Sequence, residues 1–177
     1  MTEPPQHPKI LKIGEVDLNK LRLDALDISK QRQYPLQGLS KDDFQSSVTD
    51  NIDLRNNEED YTVRLYNNME YSYSIIEKFN LHRSKYMFLP SITCYGVHSD
   101  NTARIHIPIE TNQNCFFILD DEVVRLPADG SVYWVNTTLP HTFVNANPHK
   151  TEFVRIHLVG STRLNIQEAR FLADHLL

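Results

Sequence analysis

Three side chains in this sequence have the types and spacing to hold a redox-active metal. His98 and Asp100 lie in the run Cys94-Tyr-Gly-Val-His-Ser-Asp-Asn-Thr-Ala-Arg-Ile-His-Ile-Pro108, and His141 lies further along. An iron that must accept both a co-substrate and oxygen takes few protein ligands, and two His with one carboxylate on one face of an octahedron leave the other positions open. A His-x-Asp pair supplies two of these from alternate residues of an extended segment, whose side chains point the same way. Alone, the pair is weak evidence, because about one His-x-acid match arises by chance among 8 His and 23 acidic residues. His141, at the start of a strand-like run after the 134–140 turn, fits a structural histidine as well as a third ligand.

Arg155 adds weight to the group. In Glu152-Phe-Val-Arg-Ile-His-Leu-Val159 the alternation sets Phe153, Arg155, His157 and Val159 on one face and Val154, Ile156 and Leu158 on the other. A strand apolar on both faces is buried on both, so its Arg requires an anionic partner, either in the protein or in a ligand. The Arg fork matches a carboxylate in two-point fashion. In Ala103-Arg-Ile-His-Ile-Pro-Ile109, Arg104 and His106 share one face and the three Ile the other. Polar groups from two strands thus converge on one cavity wall, as in a binding site.

These groups need a frame of strands. Residues 1–8 carry three of the prolines and read as a loose tail, 9–13 as a short strand, and 18–28 as a helix capped by Asp17, with Leu18, Leu21, Ala25 and Ile28 at helical spacing. The polar 31–68 segment, with the acidic run 50–60 at its centre, reads as a solvated loop or a substrate lid. A second helix is expected over 69–79, with Asn80 as its stop. Beyond it the period becomes that of strands: 85–89, the stretch carrying His98 and Asp100, 104–111, 115–119, 122–126, 131–135, 141–145 and 153–159, separated by turns at 120–121, 127–130 and 147–150. An antiparallel sandwich or barrel follows. Residues 165–177 return to helical spacing through Ile166, Ala169, Leu172 and Leu176.

At 177 residues the chain fits one domain, divided into the tail, a helix-and-loop part over 9–84, a β core over 85–160 and a C-terminal helix over 161–177. The formal charge of −5 argues against a nucleic-acid binder. No secretory leader and no apolar run of membrane-spanning length is evident, so a cytoplasmic protein without a membrane partner is expected. Cys94 and Cys115 are read as buried reduced thiols without a catalytic role.

The order His98-Ser-Asp100, Arg104-Ile-His-Ile-Pro-Ile, Gly130-Ser-Val-Tyr-Trp-Val-Asn136, Pro140-His-Thr-Phe-Val-Asn145 and Arg155-Ile-His-Leu-Val resembles the aspartyl/asparaginyl β-hydroxylase family of Fe(II)- and 2-oxoglutarate-dependent oxygenases, over about residues 85–160. The resemblance implies a mainly β fold, a double-stranded β-helix or jelly-roll, cupin-like barrel with flanking helices. It implies His98, Asp100 and His141 as catalytic iron ligands, Arg155 and His106 as binders of 2-oxoglutarate, and Arg104 as a substrate-facing residue. Because Asp100 is present, the chain is similar to the hydroxylases of free amino acids such as proline. The activity implied is hydroxylation of an amino acid, free or in a peptide, with O2 consumed and 2-oxoglutarate converted to succinate and CO2. The alternatives are a cupin-like metal enzyme that does not use 2-oxoglutarate, and a barrel that binds a ligand without catalysis.

Overall fold

The computed structural model describes residues 8–26, 28, 32–48, 56–148 and 154–175. The 1–7 part of the tail, residues 50–55 of the acidic run, residues 149–150 of the 147–150 turn, Phe153 and Leu176 lie outside these. The N-terminal part contains β1 (Ile10–Glu15), α1 (Leu18–Leu26), β2 (Gln33–Pro35), β3 (Gln37–Gly38), a 3-10 turn (Glu58–Asp60), β4 (Val63–Arg64) and α2 (Glu70–Lys78). The remainder is β5 (His82–Pro90), β6 (Thr93–Cys94), β7 (Arg104–Glu110), β8 (Cys115–Leu119), β9 (Glu122–Val124), β10 (Ser131–Val135), β11 (His141–Asn145), β12 (Val154–Ser161) and α3 (Ile166–His175). Among the described residues no helix is long and apolar enough to cross a membrane.

The fold is mainly β, with three helices and antiparallel sheets. A six-stranded sheet runs in the order β1-β10-β7-β12-β5-β2, a four-stranded one in the order β6-β11-β8-β9, and β3 pairs with β4. From β5 onward the chain passes back and forth between the two larger sheets. These sheets do not close into the expected barrel. Closure would require the edges of β10 and β5 to pair with the small sheet, but β1 and β2 from the N-terminal part already occupy them.

Period-two alternation gives the large sheet two different faces. Ile105, Ile107, Val132, Trp134, Ile156 and Leu158 point to one side and join Leu21 of α1, Tyr73 and Ile76 of α2 and Ala169 of α3 in one core. Leu89 and Val135 point to the other and meet Phe117, Leu119 and Phe143 of the small sheet. Each such side chain contributes about 1.5–3 kcal/mol on full burial, so helices and small sheet clamp the large sheet from both sides.

Local signals set the helix ends. The Asp17 carboxylate accepts hydrogen bonds from the backbone N–H groups of Asn19 and Lys20 at 3.1 and 3.2 Å, capping α1. That helix stops at Leu26, short of the expected Ile28, which is buried without being helical. Asn80 sits at φ 48° and ends α2 as anticipated. The Asn165 side chain accepts from the N–H of Glu168 at 3.0 Å while the Glu168 carboxylate accepts from the Asn165 N–H at 2.9 Å, a reciprocal cap on α3.

The polar 31–68 segment departs most from expectation. Its described residues are folded: β2 pairs with β5, β3 with β4, and Glu58 is buried. Cys115 is buried as expected, but Cys94 is exposed, and both are free thiols.

Gly130 in the turn before β10 has φ +92°, and a Cβ there would lie 2.7 Å from the Val16 carbonyl oxygen that follows β1. Gly130→Ala is therefore expected to lower stability by about 1–3 kcal/mol, read as a lower urea midpoint at unchanged slope.

Candidate metal and ligand site

His141 opens β11, and His98 sits opposite it on the loop between β6 and β7. The expected strand through His98 and Asp100 is reduced to one bridge: His98 N–H donates to the His141 carbonyl at 3.1 Å and His141 N–H to that of His98 at 2.8 Å. Asp100 is fixed by its N–H donating to the Thr137 carbonyl at 2.8 Å. One ligand-type atom from each of His98, Asp100 and His141 falls within 4.8 Å of the others, and the rings of His98 and His141 are 4.4 Å apart at their centres.

Both rings are oriented from behind. His98 Nδ1 lies 2.8 Å from the Gly96 carbonyl oxygen and His141 Nδ1 lies 3.0 Å from that of Leu139. A carbonyl only accepts, so each Nδ1 is the donor and Nε2 is the nitrogen left for a metal. Burial holds the His141 imidazolium form down, which favours the neutral ligand. Two imidazoles with a carboxylate fit a divalent iron by donor type and number.

Arg104, the first residue of β7, is committed to protein partners. Its Nε donates to Asp100 Oδ2 at 3.0 Å, and its two terminal nitrogens grip both Glu58 oxygens at 2.6 and 2.5 Å. Glu58 also receives the Thr102 hydroxyl at 2.8 Å and Arg83 at 3.2 Å. Burial alone pushes the Glu58 and Asp100 carboxyls up, but the Arg104 charge and hydrogen bonds outweigh it and leave both below their ordinary values. Asp100 is thus ionised, as a ligand must be.

A cavity of about 1010 Å³ opens beside this cluster, with Lys85, Met87, His106 and Phe143 among its lining residues. His106 is buried, and among the described residues neither ring nitrogen has a hydrogen-bond partner. Burial, reinforced by the Arg155 charge, keeps it neutral. Arg155 is also buried, its guanidinium 4.0 Å from the centre of the Phe143 ring and donating to His157 Nδ1 at 2.7 Å. Among the described residues it has no ion pair, and burial lowers its pKa to about 9. A buried guanidinium whose partners are a neutral imidazole and a ring face is left short of an anion.

Five of the six expected residues line this cavity, with Arg104 turned toward Asp100 and Glu58, whereas Arg155 lies against Phe143 outside the lining. Sequence reasoning missed Glu58, Lys85 and His157. Glu58 sits within an acidic run that reads as solvated, and only its position in the fold sets it apart. Alternation sets His157 on the face of Arg155 without a role, and places Lys85 on a strand without a face; pairing across the sheet to Val159 is what brings Lys85 to the cavity.

No family model and no curated protein matches the chain. Among solved structures it is similar to a conserved protein of unknown function from Streptococcus pyogenes, at 17% identity and a TM-score of 0.35, over 46% of this chain and 65% of that one. The match thus spans less than two thirds of that protein.

Proposed function

We propose that the protein is an Fe(II)- and 2-oxoglutarate-dependent dioxygenase that hydroxylates an amino acid, free or in a peptide, on a jelly-roll scaffold. The observation that carries this reading is the pairing of a two-His, one-carboxylate cluster with a buried Arg155 that has no anionic partner among the described residues. The passage of successive strands between two facing sheets supports the jelly-roll assignment.

In this reading His98, Asp100 and His141 hold the iron, which when bound supplies the oxygen activation that protein side chains lack. The chain's own residues bind and orient. The carbonyls of Gly96 and Leu139 hold Nδ1 of each histidine, which turns Nε2 toward the metal, and Arg104 keeps Asp100 ionised. Arg155 takes the distal carboxylate of 2-oxoglutarate in a charge-assisted bond. His106, neutral and unpartnered, has one donor and one acceptor nitrogen to offer the same co-substrate. Phe117 and Phe143, with ring centres 4.2 Å apart, form an apolar wall that excludes water from the inner end. Arg104 acts by positioning Asp100, so its contribution passes through the metal ligand.

The test is succinate formation from 2-oxoglutarate, with Fe(II) and ascorbate, across a panel of free amino acids and peptides. Arg155→Ala is expected to raise the 2-oxoglutarate requirement about tenfold or more, the scale of a lost charged hydrogen bond, with iron content unchanged. An unaltered requirement removes Arg155 from the clamp.

A further inference from the structure

Lys85 is a cavity cation that the reading above leaves unused. It sits in β5 directly across from Val159 of β12, which is flanked on its other side by His106 of β7. Lys85 and His106 therefore occupy one row of the large sheet, both line the cavity, and only Val159 separates them. The ammonium has one hydrogen bond, to the Ser47 carbonyl oxygen at 3.3 Å. Among the described residues no carboxylate pairs with it. The nearby acids are occupied: Glu58 by Arg104 and Arg83, and Asp100 by Arg104. Burial, with the charges of Arg83 and Arg104, lowers the Lys85 pKa to about 7. An anion beside it restores the charged form.

Arg155 does not serve the same ligand group. Val159 lies four residues along β12 from Arg155, about 13 Å of strand. The Arg155 guanidinium faces Phe143 and His157, whereas the Lys85 ammonium faces the Ser47 carbonyl. Lys85 thus lines the cavity while Arg155 lies outside its lining, against the Phe143 ring, and among the described residues neither has a carboxylate partner: two separate places for an acid.

We propose that Lys85 is a second carboxylate anchor, so that the organic substrate of this site is itself an acid, held by its carboxylate at Lys85 while the co-substrate's is held at Arg155. A free amino acid meets this requirement through its α-carboxylate. A residue inside a peptide meets it only with an acidic side chain or a chain end. The inference rests on the oxygenase reading for the identity of the Arg155 ligand, and it narrows the substrate class.

The test is calorimetric and requires no turnover. Wild type, Lys85→Met, Lys85→Arg and Arg155→Met, reconstituted anaerobically with Fe(II), are titrated with 2-oxoglutarate and then, at saturation, with each free L-amino acid and the amide of the best binder. At least one acid is expected to bind on top of 2-oxoglutarate, and its amide at least tenfold more weakly. Lys85→Met should weaken that acid at least tenfold while 2-oxoglutarate affinity stays within twofold, with Lys85→Arg intermediate and all variants melting cooperatively. The inference is overturned if no amino acid binds in the ternary mixture, if acid and amide bind equally, or if Lys85→Met weakens only 2-oxoglutarate. Should wild type fail to bind 2-oxoglutarate, the oxygenase reading falls by itself. The anchor then stands only if Lys85→Met abolishes an amino-acid affinity that Arg155→Met retains.

Discussion

His141→Ala is expected to abolish Fe(II) binding, weakening it by more than about a hundredfold, and to leave a cooperatively folded protein. The side chain's visible tie is one hydrogen bond to the Leu139 carbonyl, so the thermal cost is about 0.5–2 kcal/mol. The strand around it is held by backbone pairing with β8 that alanine preserves. His98→Ala should lose metal equally and lose less stability, because the His98 side chain is exposed. Metal content after anaerobic reconstitution, with melting curves on the same samples, reads both quantities. Full metal stoichiometry in His141→Ala would remove it from the ligand set.

Glu58→Ala is expected to be the most damaging change outside the metal ligands. It removes the carboxylate that Arg104 and Arg83, both buried, share, and leaves Arg104 with Asp100. Removing one partner from a buried ion pair costs about 3–5 kcal/mol, a large part of the 5–15 kcal/mol that holds an ordinary domain. Metal affinity should fall about 10–100-fold as well, because Arg104 then orients Asp100 without its own anchor. The pH dependence has a definite sign. Since the folded-state pKa of Glu58 lies below the ordinary 4.5, its contribution is complete at neutral pH and fades as pH falls through 4.5 toward the folded value. The gap in urea midpoint between wild type and Glu58→Ala should be wide at pH 7 and smaller below pH 4.5. An equal gap at both would mean that packing, and not charge, carries the effect.

The strands that carry site residues were legible because apolar alternation and flanking turns both mark them. The ranges 115–119, 131–135 and 141–145 coincide with β8, β10 and β11. Alternation also placed Arg104, His106 and Arg155 on the inner face, since the pleat allows each residue one side only. It failed where structure is made by backbone pairing of very short segments. Gln33–Pro35 is too brief to show a period, yet it adds an edge strand to β5 and helps keep the sheets from closing. The same limit hid Glu58, whose burial follows from two arginines distant in sequence. Ile28 shows the opposite error, an apolar residue in helical phase that is buried after the helix has ended. Of the chemistry, the His-x-Asp pair was readable as a motif, whereas the shared use of Arg104 by Asp100 and Glu58 depends on the folded geometry.

The reciprocal backbone bonds between His98 and His141 carry a kinetic consequence. They fix the separation of the two histidines through main-chain atoms that no side-chain change removes, so under the proposed reading the site is assembled before metal arrives. Uptake should then be a single bimolecular phase, its rate linear in metal concentration and without a plateau from a prior opening step. A loop that had to find its partner would instead saturate. Stopped-flow mixing with a spectroscopically visible divalent ion distinguishes the two, and places the speed of loading with the ion's release of water rather than with the protein's motion.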